Sequence, residues 1–241
     1  MAPDHQSDTG TAPARKPGWT PLHETDPSLL GHVPDGDRGT VAETGTTVVG
    51  LTTDDAVVMA ADRRASVGGG RFVTSKRVRK VEPVHPTAAA ALSGAVGHIQ
   101  HFVRTLEAEA NLYEDRRGER MTMTALSTLA GNVLRSAPLY VSPLLGGVDA
   151  DGPQVFGLDG GGGVLSDDYA AGGSGMQVAY GVLERQYESG LSGAAARGVA
   201  ARAIDGASER DTASGNGLTV ATVTADGVAV EEYDALEEVA A

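Results

Sequence analysis

The sequence has no cysteine, and this absence excludes disulfide-linked scaffolds, thiolate zinc sites and cysteine nucleophiles. Aromatic residues make up only 4% of the chain, so alanine, valine and leucine must fill its core. No apolar run approaches the ~18 residues that a membrane-spanning helix requires. We therefore expect a soluble, cytoplasmic protein that has no membrane partner.

Basic residues are also scarce: 19 lysines and arginines stand against 32 acidic residues, which gives a formal charge of -13. Such a charge repels nucleic acid, and it suits a high-salt cytoplasm. The basic stretch at residues 76–80 lacks the interleaved aromatics of a nucleic-acid patch. His98 and His101 lie one helical turn apart, but no third ligand accompanies them, so we predict neither a metal site nor a cofactor.

Residues 1–45 differ in composition from the rest of the chain. They hold six of the eleven prolines and the only tryptophan, Trp19, and they show no periodic apolar pattern. Such a segment buries too little apolar surface to offset the conformational entropy lost on folding, so we expect disorder there. It is either a plain disordered tail or a removable propeptide, and residues 46–241 form the folded domain.

A β-hairpin is predicted directly after this leader. Residues 46–53 and 56–61 read as strands, and Asp54 and Asp55 are typical of the turn between them. With a two-residue loop, paired positions sum to 109, which places Thr47 opposite Asp62. The carboxyl group of Asp62 is therefore expected beside Thr46.

The order of the remaining elements predicts an α+β fold. Strands are expected at 72–84 and 88–93, helices at 99–113 and 123–133, strands at 139–148, 154–158 and 164–169, helices at 176–188 and 194–208, and strands at 218–224 and 228–233. A four-layer αββα sandwich of two antiparallel sheets flanked by helical layers satisfies this order. Within the strand at 72–84, alternation would let one lysine of residues 76–80 point inward toward Asp62.

The pair Gly45-Thr46 carries a specific chemistry if the chain is cut between the two residues. A threonine hydroxyl is a poor nucleophile until a base removes its proton, and an N-terminal threonine carries that base as its own α-amine. At pH 7 roughly 10% of an ordinary α-amine is unprotonated, against a few hundredths of a per cent of an ordinary lysine. Glycine before the cut would tolerate backbone angles that other residues avoid.

Together these features resemble the β subunits of archaeal, and in particular haloarchaeal, 20S proteasomes, which are threonine proteases with the N-terminal-nucleophile (Ntn) hydrolase fold. The likeness covers residues 45–233. The segments that carry it are residues 45–50, 60–64, 80, 92–97, 172–175 and 210–215, with further similarity at 144–149 and 180–184.

The resemblance implies a role for each matching residue. Thr46 would be the nucleophile and, through its α-amine, the general base. Lys80 would help to activate it, and Asp62 would orient the lysine. Matching Lys80 requires two extra residues in the glycine run at 68–70, and otherwise Lys76 competes for the role. The network around the new chain end would consist of Ser174, Asp211 and Ser214, and the N–H of Gly94 would serve the oxyanion hole.

The resemblance also implies self-cleavage at Gly45-Thr46 and a substrate pocket beside Thr46. That pocket would be lined by Ala65, Ser66, Val78, Leu92 and Val96, which predicts cleavage after hydrophobic residues. Glu82 at the pocket edge would admit some basic ones.

The implied assembly has seven β subunits in a ring and 28 subunits in the core, with two β rings between two rings of α subunits. Active sites would face an inner chamber that degrades unfolded proteins, and an ATP-dependent unfoldase would act through the α rings. Two alternatives remain open: a non-catalytic structural β-ring subunit, and the two-ring bacterial relative, whose threonine closely follows the initiator methionine.

Overall fold

The computed structural model describes residues 45–239. The predicted propeptide, with Trp19, lies outside the described residues except for Gly45. In chain order, the strands and helices are β1 (Thr47–Thr52), β2 (Val57–Asp62), β3 (Ala65–Val67), β4 (Phe72–Ser75), β5 (Val81–His85), β6 (Ala88–Gly94), α1 (Val96–Arg117), α2 (Met123–Ser136), β7 (Val141–Asp149), β8 (Gly152–Leu158), β9 (Val164–Asp167), β10 (Tyr169–Gly173), α3 (Met176–Gln186), α4 (Gly193–Ser208), β11 (Leu218–Thr224) and β12 (Gly227–Tyr233).

Within residues 45–239 the strands form two five-stranded antiparallel sheets and the small β3-β4 hairpin. The first sheet has the order β10-β1-β2-β11-β12, and the second has the order β5-β6-β7-β8-β9. Helices α3 and α4 cover the outer face of the first sheet, and α1 and α2 cover that of the second. The inner faces of the two sheets pack against each other. The predicted αββα sandwich is confirmed.

The layer between the sheets is filled mainly by alanine and valine, as the shortage of aromatics predicts. Met59 is its longest side chain, and two glycines make room for it. A Cβ atom at Gly50 on the neighbouring strand would lie 2.8 Å from Met59 Sδ, and one at Gly146 on the facing sheet would lie 2.5 Å from it. Both separations are shorter than a carbon–sulfur contact allows, so glycine at both positions leaves Met59 in place without a shift of its side chain.

The first hairpin has the predicted register. Its pairs run from Val48 opposite Ala61 to Thr52 opposite Val57, so paired positions sum to 109. The Thr53 N–H donates to the Ala56 carbonyl at 2.8 Å and closes the turn. This hairpin brings the end of β2 beside the start of β1.

Two predicted strands are wrong, because each is divided between two sheets. The segment 72–84 contains β4 and β5 with irregular backbone at 76–80, where the chain crosses over and the Val78 N–H donates to the Arg63 carbonyl at 3.0 Å. Strand alternation therefore does not decide which lysine points inward. The segment 164–169 is divided at Asp168, after which β10 joins the first sheet beside β1. The sequence Ala-Gly-Gly in β10 has low strand propensity, which hid this strand.

No helix within the described range is long and apolar enough to cross a bilayer.

Candidate active site

The carboxylate of Asp62 is the centre of the site. It lies at the end of β2 and is fully buried. Its Oδ1 accepts hydrogen bonds from the Thr46 hydroxyl at 2.7 Å, the Thr47 N–H at 2.9 Å and Lys80 Nζ at 2.8 Å. Its Oδ2 accepts from the N–H groups of Arg64 at 3.0 Å and Gly215 at 2.9 Å. Five donors thus compensate for burying this charge.

Lys80 is the lysine that the structure brings to Thr46. It is 3% exposed, and its Nζ contacts both Thr46 Oγ1 and Asp62. Burial lowers the pKa of Lys80, and the attraction of Asp62 only partly opposes this effect. Lys76 is exposed on the irregular segment. The glycine run at 68–70, where matching Lys80 requires two extra residues, lies in the turn between β3 and β4.

A second network holds the backbone of Thr46. The Thr46 N–H donates to Ser174 Oγ at 3.1 Å, and Ser174 Oγ lies 3.2 Å from the Thr46 carbonyl. Asp211 Oδ2 accepts from the hydroxyls of Ser174 at 2.5 Å and Ser214 at 2.7 Å. The structure therefore brings all three predicted residues into one network, in which Ser174 contacts the nitrogen that would become the chain end.

Sequence reasoning gave no role to Thr47, which connects the two networks. Its N–H donates to Asp62, and its Oγ1 lies 2.7 Å from Ser214 Oγ. Neighbouring residues of a strand point to opposite faces. The strand pattern of β1 could therefore have indicated that the hydroxyls of Thr46 and Thr47 reach different partners.

Arg64 holds the loop that carries Asp211 and Ser214. Its Nε donates to Asn216 Oδ1 at 2.9 Å, and its Nη1 donates to the Thr212 carbonyl at 2.9 Å. Asn216 has a φ of 64°, a left-handed conformation that asparagine tolerates better than most residues. The sequence Gly-Asn-Gly at 215–217 is the signal of such a tight loop.

A family model described as proteasome subunit matches residues 42–223, which is more than half of the chain. The chain belongs to the proteasome subunit family. The β2 proteasome subunit of Haloterrigena turkmenica is 55% identical over 216 residues, covering 87% of this chain and 91% of the relative. The β subunit of Halorhabdus utahensis is 56% identical over 205 residues, covering 85% and 87%, and that of Halobacterium salinarum is 54% identical over 216 residues, covering 86% and 88%.

The predicted likeness to haloarchaeal proteasome β subunits is thus confirmed, and so is the assignment to the threonine proteases. Proteasome β subunits assemble with α subunits in a 20S core. In this member of the family, Thr46, Asp62 and Lys80 are buried together, as a catalytic β subunit requires.

Gly45 and Gly94 lie in the wall of one cavity of about 470 Å³, together with Ser174 and Asp211. A Cβ atom at Gly45 would overlap that of Ala213, so there is no room for a side chain on the residue before Thr46. Gly94 has a φ of 132°, and a Cβ there would overlap the Tyr140 carbonyl. Glycine at 94 therefore lets the end of β6 form this wall.

A second cavity of about 340 Å³ opens beside Lys80 and contains three of the five predicted pocket residues, Ala65, Val78 and Val96. Ile99 and Val103 of α1 complete its apolar wall, and helical spacing could have indicated both. Ser66 is instead buried, with its hydroxyl 3.4 Å from the Ala213 carbonyl. Leu92 is fully buried in the core under α1 and α2. The structure brings neither of these two residues to the cavity.

His98, one of the two histidines considered as metal ligands, contacts Tyr140. His98 Nδ1 accepts from the Tyr140 N–H at 3.0 Å, and the two rings stack. No cluster of three potential ligand residues occurs between residues 45 and 239.

Proposed function

We propose that this β subunit removes its own leader by cutting the Gly45-Thr46 bond and then cleaves substrate peptide bonds with the exposed Thr46. One observation carries this proposal. The Thr46 hydroxyl contacts a buried lysine–carboxylate pair while Ser174 holds the Thr46 backbone next to the bond to be cut.

Before cleavage the Thr46 nitrogen is part of a peptide bond and cannot serve as a base. Lys80 is placed to do so, because its Nζ contacts Thr46 Oγ1 and burial lowers its pKa, favouring the neutral amine. Asp62 accepts a hydrogen bond from the same hydroxyl, but four further donors also contact its oxygens, so we assign the role of base to Lys80.

The leader is released in two steps. The Thr46 hydroxyl turns its proton from Asp62 to the neutral Lys80 amine, which accepts it while Thr46 Oγ bonds to the Gly45 carbonyl carbon. The Gly45-Thr46 C–N bond then breaks, and the proton passes to the leaving nitrogen, which becomes the α-amine. Water hydrolyses the resulting ester, which frees the Gly45 carboxylate and restores the Thr46 hydroxyl.

In the mature subunit the α-amine takes the role of base for substrate. Ser174 accepts from the Thr46 nitrogen before cleavage, and it can accept from the amine afterwards without rearrangement. The N–H of Gly94 is proposed to stabilise the oxyanion, a contribution of about 3 to 4 kcal/mol for a single donor.

The cavity beside Lys80 is proposed to receive the P1 side chain, whose carbonyl Thr46 attacks. Its wall is built from Ala65, Val78, Val96, Ile99 and Val103, which supports cleavage after hydrophobic residues.

The proposed particle has seven-membered β rings between two α rings, 28 subunits in all, in the cytoplasm. It degrades unfolded proteins delivered by an ATP-dependent unfoldase that acts through the α rings. Phe72 and Leu165 are 66% and 73% exposed in the single subunit, and contacts within such a particle would cover apolar surface of this kind.

Replacement of Thr46 tests the catalytic role. Particles assembled with α subunits should contain a wild-type chain that begins at Thr46 and shows no tryptophan emission, because Trp19 is the only tryptophan. The Thr46→Ala chain should assemble, keep its leader, as shown by its intact mass, and hydrolyse no peptide.

Thr124→Ala is the matched control, since Thr124 is exposed at the start of α2. It should be processed and active like the wild type. An active Thr46→Ala particle would show that another group is the nucleophile. A wild-type particle that assembles with its leader intact would instead support a non-catalytic ring subunit.

A further inference from the structure

The mouth of the cavity beside Lys80 is charged, although its wall is apolar. Arg79, Glu82 and Arg104 all line it. A lone carboxylate at this position would attract a basic side chain of a substrate. Whether Glu82 can do so depends on what else contacts its carboxylate.

The Glu82 carboxylate is already occupied by Arg79. Arg79 Nε donates to Oε1 at 3.1 Å, and Nη2 donates to Oε2 at 2.5 Å. Two parallel hydrogen bonds of this kind fix the geometry as well as the charge. The hydrogen bond with Glu82 raises the pKa of Arg79 despite partial burial.

The remaining charges leave this mouth positive. Lys80 is paired with Asp62. Arg104 is exposed on α1, and within residues 45–239 no carboxylate forms an ion pair with it. The mouth therefore presents two guanidinium groups and one carboxylate.

We propose that Arg79 determines the specificity of this cavity by occupying Glu82, so that the subunit cleaves after large apolar and after acidic residues but rejects basic ones. The inference rests on the proposed function, because it takes the cavity as the P1 pocket. It also replaces the sequence-based expectation that Glu82 admits basic residues.

The test compares three fluorogenic peptides that differ only at P1, which is Leu, Glu or Arg. Particles assembled with α subunits carry the wild-type chain, Arg79→Gln, or Arg79→Gln combined with Glu82→Gln. Wild type should cleave in the order Leu, Glu, Arg. Arg79→Gln should raise kcat/KM for Arg relative to Leu by about ten-fold, the scale of discrimination by one pocket group, and the double variant should lose this gain.

Arg77→Gln is the matched control, because Arg77 is exposed on the same irregular segment and lies outside the cavity wall. Its P1 profile should equal that of wild type. Glu82→Gln alone provides a second variant that does not alter Arg79, and it should raise kcat/KM for the Glu peptide relative to Leu.

An unchanged P1 profile in both Arg79→Gln and Glu82→Gln would overturn the inference, as would wild-type cleavage after Arg as fast as after Glu. Failure of the wild-type particle to cleave any of the three peptides would instead overturn the proposed function.

Discussion

Replacing Gly45 with alanine should slow removal of the leader, because the added methyl group has no space. A Cβ atom at this position would overlap the Ala213 Cβ and lie 3.3 Å from the Ala213 Cα and 3.1 Å from Ser174 Oγ. Ala213 is 3% exposed, and its N–H donates to Asp211 Oδ1 at 3.1 Å. It cannot move without disturbing the network around Thr46.

Overpacking of a buried site costs about 1–3 kcal/mol. If this cost falls on the geometry of attack, the processing rate should drop by roughly 5- to 150-fold, since about 1.4 kcal/mol corresponds to ten-fold in rate. The assay is a time course of leader removal during assembly with α subunits, followed by intact mass.

The compensating substitution makes this test specific. Ala213→Gly removes the obstructing methyl group, so the Gly45→Ala/Ala213→Gly chain should regain most of the lost rate, while Ala213→Gly alone controls for loosening of the loop. Wild-type processing of Gly45→Ala would refute the steric argument. So would the absence of any recovery in the double variant when Ala213→Gly alone matures normally.

Two further predictions concern titration. Because burial lowers the pKa of Lys80, the processing rate should rise with pH as the neutral amine accumulates and level off above that lowered pKa. Lys80→Arg should lose at least ~10²-fold at every pH tested, as expected for a missing general base, whereas the exposed Lys76→Arg should not change; a flat wild-type profile would contradict this role. Burial raises the pKa of Glu114, but hydrogen bonds from His85 at 2.8 Å and the Met121 N–H at 2.7 Å outweigh it, so the pKa lies below its usual value. A depressed carboxyl pKa stabilises the fold above its unfolded value of ~4.3 and ceases to do so as pH falls through the folded value. Glu114→Gln should therefore lower the free energy of unfolding near neutral pH by about 1 kcal/mol, measured as a lower thermal midpoint of the particle. The difference in thermal midpoint from wild type should shrink in acid, and a constant difference down to pH 3 would argue against the pairing.

Local patterns predicted the parts of the fold that depend on neighbouring residues. The β1-β2 hairpin follows from β-branched runs on either side of Asp54 and Asp55, and its register alone brings Asp62 to Thr46. The periodic apolar residues of the helices likewise predicted two helical pairs. The pair α1 and α2 covers the outer face of one sheet, and the pair α3 and α4 covers that of the other.

Predictions failed where the chain passes from one sheet to the other. Residues 76–80 and Asp168 lie at such crossings, and nothing in their local propensity distinguishes a continuous strand from two strands in different layers. The position of Lys80 therefore came from resemblance to a family and not from strand alternation. Leu92 was expected in the pocket by resemblance to the family, whereas the structure buries it in the core under α1 and α2. Strand alternation could not have corrected this, because the faces of a strand cannot be assigned before its sheet is known.

The arrangement around Asp62 would couple the proposed self-cleavage to folding. Its five donors come from four separate parts of the chain: residues 46–47, Arg64, Lys80 and Gly215. Until the irregular segment and the 211–217 loop have both closed on the hairpin, the carboxylate lacks part of this set, and a buried charge that lacks its partners is strongly unfavourable. The same closure brings the Lys80 amine to the Thr46 hydroxyl and Ser214 to Thr47. If Lys80 is the base that cuts the leader, as proposed, it reaches Thr46 in the step that completes this arrangement, and we expect the Gly45-Thr46 bond to be protected from attack in an incompletely folded subunit.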